Sequence, residues 1–223
     1  MTERYALMWS GGKDSALAVS RAQSLGLDVT KLLNFYDVTT GRVRFHATTV
    51  TMLQVQAEAL GIELRAVGST WAEMDVRFSQ ELTTLRSDGF DGVVFGDIHL
   101  GDVRAWYEER VTAAGLRHVE PIWGESPPKL VEEFVEAGGR AVITCVDLSR
   151  LDSSWLGRLI DERFLDAISQ ARVDACGENG EYHSFAFAGP MFKHPVAWRA
   201  GEIHAEPGFM QLDLAPALST QDY

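Results

Sequence analysis

Cysteine is scarce in this chain of 223 residues: Cys145 and Cys176 are its only two, and neither belongs to a CxxC pair. That argues against a disulfide framework and a structural zinc site, and both thiols read as buried side chains. Long apolar runs are missing too, since no stretch approaches the roughly 20 residues of a membrane-spanning helix. The amino-terminal MTERYALMW has one early Arg and a short apolar stretch without a small-residue cleavage pattern. A signal peptide is therefore not expected, and a cytoplasmic location is. Positive charge is in deficit, with 20 Lys and Arg against 32 Asp and Glu, a formal net charge of −12. A field of that sign repels RNA, DNA and anionic membranes, so a nucleotide would have to be captured at a local site. The six tryptophans are too scattered to form a stacking platform for single strands. His99, His118, His194 and His204 do not form metal-ligand spacing.

What is present is an ordinary soluble, globular composition, 46% hydrophobic and 23% charged, long enough for a substantial core. Short apolar runs alternate with helical stripes. RYALMW (Arg4 to Trp9) predicts a buried strand and Lys13 to Leu25 a helix, with Ala18, Ala22 and Leu25 at i, i+4, i+7. Val29 to Asp37 predicts the next strand, and Thr49 to Leu60 a helix closed by Gly61. Ile62 to Val67 then reads as strand, about Trp71 to Ser87 as helix, and DGVVFGD as a strand ending at Phe95. A stripe from Val103 to Ala114, a strand over Arg117 to Trp123, a proline-initiated helix in PPKLVEEFVEAGG and a last buried strand at Arg140 to Val146 continue the pattern. Such alternation implies an α/β fold with a parallel sheet covered on both faces. From Asp147 the texture changes: SSWLGRLIDERFLDAIS reads as helical, and HPVAWRAGEIHAEPGFMQLDL as β hairpins. The chain is expected to divide near residues 125 to 150, into an α/β core over 1–135 and a smaller mixed module over 136–223. The Arg140 to Val146 strand could belong to either part.

The most informative stretch is LMWSGGKDSALAVS, Leu7 to Ser20. A glycine-rich turn from a buried parallel strand into a helix exposes consecutive backbone N–H groups and the positive end of the helix dipole, which together bind phosphate. Lys13 offers a point charge, and Asp14 can hold a Mg²⁺ that bridges phosphate oxygens. The stretch is neither a Walker A loop, which needs G-x-x-x-x-G-K-S/T, nor the GxGxxG fingerprint. It resembles the SGGxDS pyrophosphate loop of the N-type ATP pyrophosphatases, a branch of the adenine nucleotide α-hydrolase-like superfamily. Two further stretches, VVFGDIHLGDVRAWYEERVTAAGL and DACGENGEYHSFAFAGPMF, resemble segments of the diphthine–ammonia ligase family, as does HVEPIWG between them. The resemblance spans about residues 4 to 195.

The resemblance implies a HUP-type, doubly wound core that carries ATP and a carboxy-terminal module that completes the site. Carried over by position, Ser10, Gly11, Gly12, Lys13, Asp14 and Ser15 would hold the phosphates, Gly96 and Asp97 would face the same crevice, and His46 would lie near the nucleotide. The implied reaction adenylates a carboxylate, releasing pyrophosphate, and amidates it with ammonia; in the family's characterised reaction the acid is diphthine, a modified histidine on translation elongation factor 2. Attack by ammonia calls for a base, and CGENGEYH supplies Glu178, Glu181 and His183 within six residues. One glutamate would position or deprotonate the ammonia while His183 orients the substrate. On their own these three residues read rather as caps of a solvated turn, and the resemblance reverses that order. Asp97 serves either as the N-cap of the next helix or as a metal or ribose ligand. Arg104 either pairs with Glu108 at i, i+4 or reaches a phosphate or carboxylate. The expected cofactors and partners are thus ATP, Mg²⁺, ammonia and a carboxylate, with no nucleic acid or membrane and with a homo-oligomer left open. No glutaminase segment is visible, so free ammonia or a partner would supply the nitrogen. A tRNA-modifying ATP pyrophosphatase and a nucleotide sensor without turnover are the competing readings, the first disfavoured by the charge and by the lack of a cysteine pair.

Overall fold

The computed structural model describes residues 2–43 and 46–217. Its first sheet is built from β1 (Arg4–Met8), β2 (Asp28–Asp37), β4 (Glu63–Ser69), β5 (Gly92–Val94) and β6 (Arg117–Val119), all parallel, in the order β4-β2-β1-β5-β6. A two-residue strand, β3 (Arg42–Val43), pairs antiparallel with the end of β2. The helices α1 (Lys13–Ser24), α2 (Val50–Leu60), α3 (Met74–Ser87) and α4 (Gly101–Ala113) fall between the strands. This is the doubly wound α/β core expected from the alternation of elements. Strand order runs one way from β1 through β2 to β4 and the other way from β5 to β6. The switch point is therefore between β1 and β5, and ligands of such sheets bind outside the carboxyl ends of the strands at that point.

Local chemistry sets the helix ends. Thr49 Oγ1 accepts from the Met52 N–H at 3.3 Å, and Gly61 closes α2 in the left-handed conformation. Helix α3 starts at Met74, three residues later than the apolar pattern predicts. Thr70 donates its N–H and hydroxyl to the Glu73 carboxylate, which holds the preceding residues in a turn. β6 stops at Val119 instead of reaching Trp123, because Pro121 has no N–H for a ladder and the Trp123 N–H turns back to the Glu120 carbonyl.

Helix α5 (Pro127–Glu136) leads to β7 (Arg140–Asp147), and here the structure resolves the open assignment. β7 lies in a second, antiparallel sheet, paired with β8 (Leu159–Ile160), β9 (Tyr182–Ala188) and β11 (Phe209–Pro216), and β11 pairs with β10 (Trp198–Glu206). Periodicity does not reveal this, because a strand buried on both faces has the same apolar run in a parallel or an antiparallel sheet. The stretch expected to be helical from Ser153 is a short 3₁₀ turn (Ser153–Trp155), then β8, then α6 (Glu162–Gln170). Gly157 at φ +77° breaks it, and the Asp161 carboxylate caps α6 by accepting from the Arg163 and Phe164 N–H groups. Residues 218–223 of the module expected over 136–223 lie outside the described residues. One hydrophobic cluster runs from Leu17 and Val19 of α1 and Leu53 of α2 to Phe134, Val142 and Phe185, so the two sheets share a core.

A fully buried polar link between them is Gln56 on α2, which has no exposed surface. Its Nε2 donates to the Gly11 carbonyl at 2.8 Å and the Ala186 carbonyl at 2.7 Å, and its Oε1 accepts from Trp9 Nε1 at 3.0 Å. The Ala186 N–H in turn donates to the Gly11 carbonyl at 2.8 Å. Gly11 must be glycine here: it sits at φ +84°, and a Cβ would fall 2.8 Å from Gln56 Oε1. Gln56→Leu leaves buried backbone and indole groups without partners, so it is expected to lower unfolding free energy by about 2–4 kcal/mol. Gln54→Ala, on the exposed face of α2, should stay within about 0.5 kcal/mol of the parent. Urea denaturation of both variants checks this, and equal midpoints would remove Gln56 as the link.

Candidate active site

The loop from Ser10 to Ser15 leaves the carboxyl end of β1 and opens α1 at Gly12, whose cap makes no side-chain hydrogen bond. The amino-terminal turn of α1 thus starts without the oxygen that Ser, Thr or Asp would supply. Two loop N–H groups rest on hydroxyls instead, Gly12 on Ser10 Oγ and Lys13 on Ser184 Oγ, both at 3.2 Å. Ser15 Oγ donates to the Gly12 carbonyl at 3.0 Å and lies 3.2 Å from Ser10 Oγ. Across the switch point Gly96 follows β5. A Cβ there would stand 3.1 Å from the Asp14 backbone, so glycine permits the two loops to meet.

Between these loops lies a cavity of about 900 Å³, lined from both sheets. Ser10, Lys13, Asp14, Ser15, His46, Gly96 and Asp97 contribute from the first part of the chain, and Glu178, His183 and Ser184 from the second. Lys13 is only 2% exposed. Its ammonium donates to both Asp14 carboxylate oxygens, at 3.0 and 2.8 Å, and to the Cys176 carbonyl, and it lies 5.0 Å from the centre of the Tyr182 ring. Burial, the largest single effect, acts to lower the Lys13 pKa, but Asp14, Tyr182 and Cys176 together outweigh it, and the ammonium is held charged, well above its ordinary value. Lys13 therefore ties the phosphate loop to the CGENGEYH turn.

Glu178 Oε1 accepts from the Ile98 N–H at 2.9 Å, which places this carboxylate beside the β5 loop. Burial, then the Asp14 charge, pushes its pKa up to about 7, and the same two causes push Asp97 up to about 6. His46 and His183 face each other with ring centroids 4.5 Å apart. Burial and the Lys13 ammonium lower His46 to about 4, and burial with His46 and Lys13 lowers His183 well below the ordinary imidazole range. Both rings are neutral at pH 7, so they serve as polar walls rather than cations.

Four expected site residues are not among those that line the cavity: Gly11 and Gly12 of the loop, Glu181 and Arg104. Glu181 is 1% exposed and faces its own turn, accepting from the Asn179 N–H at 3.1 Å, the Asp174 N–H at 3.3 Å and Arg150 Nη1 at 3.3 Å. With Asp174, which accepts from the Cys176 and Glu178 N–H groups, it shapes the loop that presents Glu178. Arg104 pairs with Glu120 at 3.1 Å and Glu108 at 3.7 Å and stacks over Trp123 at 4.6 Å. Its guanidinium is thus engaged by these two carboxylates and is not part of the cavity wall. Gln56, Ser184, Asp174 and Glu120 were not singled out from the sequence. A lone buried polar residue carries no motif, and Ser184 becomes visible only once β9 is laid against the loop. Cys176 lines the cavity, but burial raises its thiol pKa and Sγ lies 3.4 Å from the Pro127 carbonyl, so it is a packed thiol.

The residues present fit a nucleotide and a divalent cation to different degrees. The cavity volume, the uncapped α1 terminus and the glycine approach at Gly96 suit a triphosphate. Among the described residues no group of three or more His, Cys, Asp and Glu is placed to hold a metal. A cation here would be held by Asp14 together with phosphate oxygens, the usual manner for Mg²⁺. No helix among the described residues is long and apolar enough to cross a membrane.

Comparison with known proteins agrees with this anatomy. The family model described as Diphthamide synthase N-terminal domain matches residues 3–118, and that described as Diphthamide synthase C-terminal domain matches residues 126–215. A diphthine–ammonia ligase of Danio rerio is 27% identical over 233 residues, covering 90% of this chain and 89% of the relative. The Homo sapiens diphthine–ammonia ligase is 24% identical, covering 92% and 87%. That of Schizosaccharomyces pombe is 23% identical, and the match covers 87% of this chain but 36% of the relative's length.

The raised pKa of Glu178 has a measurable sign. Between about pH 4.5 and 7 the folded chain binds more protons at this site than the unfolded chain, so the site costs stability as pH rises through that window. In Glu178→Gln that loss is absent. The unfolding free energy of the variant relative to the parent should therefore rise by about 2 kcal/mol between pH 4.5 and 8, read from denaturation at each pH. Parallel profiles would show that Glu178 ionises without penalty.

Proposed function

The chain belongs to the diphthamide synthase family, and on that premise we propose that it is an ATP-dependent carboxylate–ammonia ligase of the diphthine–ammonia ligase type. The observation that carries the reading is the meeting of the SGGKDS loop and the CGENGEYH turn around one cavity, joined by the Lys13 ammonium. ATP is the first substrate, and its phosphates lie on the loop from Ser10 to Ser15. The Ser10 and Ser184 hydroxyls, which accept from the loop N–H groups, turn to donate to phosphate oxygens when those N–H groups take the anion. Asp14 would hold a Mg²⁺, which would supply charge neutralisation for the departing pyrophosphate.

A carboxylate oxygen of the acid attacks the α-phosphorus, the bond to the β-phosphate oxygen breaks, and pyrophosphate leaves. Ammonia then attacks the activated carbonyl carbon, AMP leaves with the electron pair of its C–O bond, and a proton passes from nitrogen to Glu178. Glu178 suits that step because a base poised near 7 accepts a proton in the transition state and releases it at neutral pH. Asp97 stands on the opposite loop as the second carboxylate facing the nucleotide. His183 and His46, both neutral, orient the substrate without adding a charge that would pair with the acid. Glu181 acts as a positioning residue for the turn. Diphthine is the acid carried in the relatives' name, and another protein-borne or small carboxylate meets the same chemistry. The packed Cys176 thiol gives no support to a tRNA thiolation reading.

The test uses the full chain with Mg-ATP and ammonium, with and without an extract containing the acid. AMP and pyrophosphate should form only with extract, and both should vanish in Asp14→Ala. Glu178→Gln should keep acid-dependent exchange of pyrophosphate into ATP while amide formation falls about 10²-fold or more. At a fixed concentration of free ammonia, amide formation in the parent should rise with pH to a plateau above about 7. Production of ADP, or bound ATP that is never cleaved, would overturn the ligase reading in favour of a kinase-like or sensor role.

A further inference from the structure

Asn34, on β2, is a polar side chain in an otherwise apolar strand segment, LLNFY, and is only 3% exposed. Its amide orientation is fixed: Nδ2 donates to the Trp9 carbonyl at 2.7 Å, and a carbonyl can accept but not donate. Oδ1 is therefore turned away from Trp9. It is buried and has no hydrogen-bond partner, although Asn34 lines the cavity. An acceptor left this way costs about 1–3 kcal/mol unless something in the cavity donates to it. Phosphate oxygens do not, since at neutral pH they are acceptors. The position narrows the donor further, because the Trp9 carbonyl immediately precedes Ser10, where the phosphate loop starts. Whatever occupies the space beside Asn34 lies next to the phosphates.

We infer that Asn34 Oδ1 is a nucleoside-reading acceptor, taking a hydrogen bond from an N–H or O–H donor on the nucleoside half of the bound nucleotide, a sugar hydroxyl or the exocyclic amine of the purine. This rests on the nucleotide-binding part of the proposed function and is independent of the ligase chemistry. Asn34 thus acts as a specificity residue within the cavity. It favours a ligand carrying a donor at that point over one that lacks it, because the second leaves the buried acceptor unpaired.

Equilibrium binding by isothermal titration of the full chain tests the assignment, with Mg²⁺ complexes of ATP, 2′-deoxyATP, 3′-deoxyATP and inosine triphosphate. The parent should bind one of the last three at least about tenfold more weakly than ATP. Which one is weakened identifies the donor as the 2′-hydroxyl, the 3′-hydroxyl or the amine. In Asn34→Leu that same ratio should shrink to within about threefold, while the ratios for the other two stay as in the parent. If the parent binds all four equally, Asn34 reads no nucleoside donor and the inference falls, with no variant needed. If the discrimination survives in Asn34→Leu, it belongs to another residue and the inference also falls. A parent that binds ATP and discriminates but never forms AMP would sink the ligase reading alone. A parent that binds no nucleotide would sink both.

Discussion

Everything at this site depends on the carbonyl of Gly11. It points out of the phosphate loop into the protein and accepts two hydrogen bonds, from Gln56 Nε2 and from the Ala186 N–H. The first donor belongs to α2 of the nucleotide core and the second to β9 of the antiparallel sheet. The carbonyl is thereby held inward, while the Gly12 and Lys13 N–H groups rest on the Ser10 and Ser184 hydroxyls. The positive φ of Gly11 is the backbone cost of that arrangement, and the buried amide of Gln56 keeps it in place. A glycine-rich loop is locally permissive, so its function comes from being held by groups distant in sequence.

The second constraint is charge. The cavity wall carries Asp14, Asp97 and Glu178 around one buried ammonium, Lys13, whose own bonds go to Asp14 and to the Cys176 carbonyl. Burial and mutual repulsion therefore push Glu178 and Asp97 toward their neutral forms, and the same low polarity with Lys13 keeps both histidines neutral. Such a pocket suits a triphosphate only with a cation alongside, and it suits a nitrogen nucleophile that must lose protons. The chain as a whole is acidic at −12, so attraction of the anion is confined to the loop and the end of α1.

Much of the core was legible because its signals are local. The strands RYALM and DVTKLLNFYD and the helix closed by Gly61 follow from apolar period, turn chemistry and caps. Elsewhere a local pattern has two solutions. RAVITCV reads as a buried strand in either sheet, and only its registers with β9 and β11 place it in the antiparallel one. The stretch after Ser153 has a helical stripe, yet Gly157 and the Asp161 cap divide it.

In the site, the resemblance to the diphthine–ammonia ligase family brought the SGGKDS loop and the CGENGEYH turn into one reading. Spacing alone could not say which of the two glutamates faces the ligand, because Glu178 and Glu181 lie three residues apart in an irregular turn and the direction of each is set by its partners. Ile98 draws Glu178 toward the β5 loop, while Arg150, Asp174 and Asn179 hold Glu181 within the protein. By itself the sequence determined the alternation of elements, the glycine-rich strand-to-helix turn and the supply of carboxylates, since each is written in neighbouring residues. Only the tertiary structure decided that Gln56 and Ser184 hold the loop, that Arg104 turns to Glu120, and that Asn34, in the cavity wall, keeps a buried acceptor without a partner. Those outcomes depend on contacts between distant segments, and a linear pattern does not carry the register in which such segments meet.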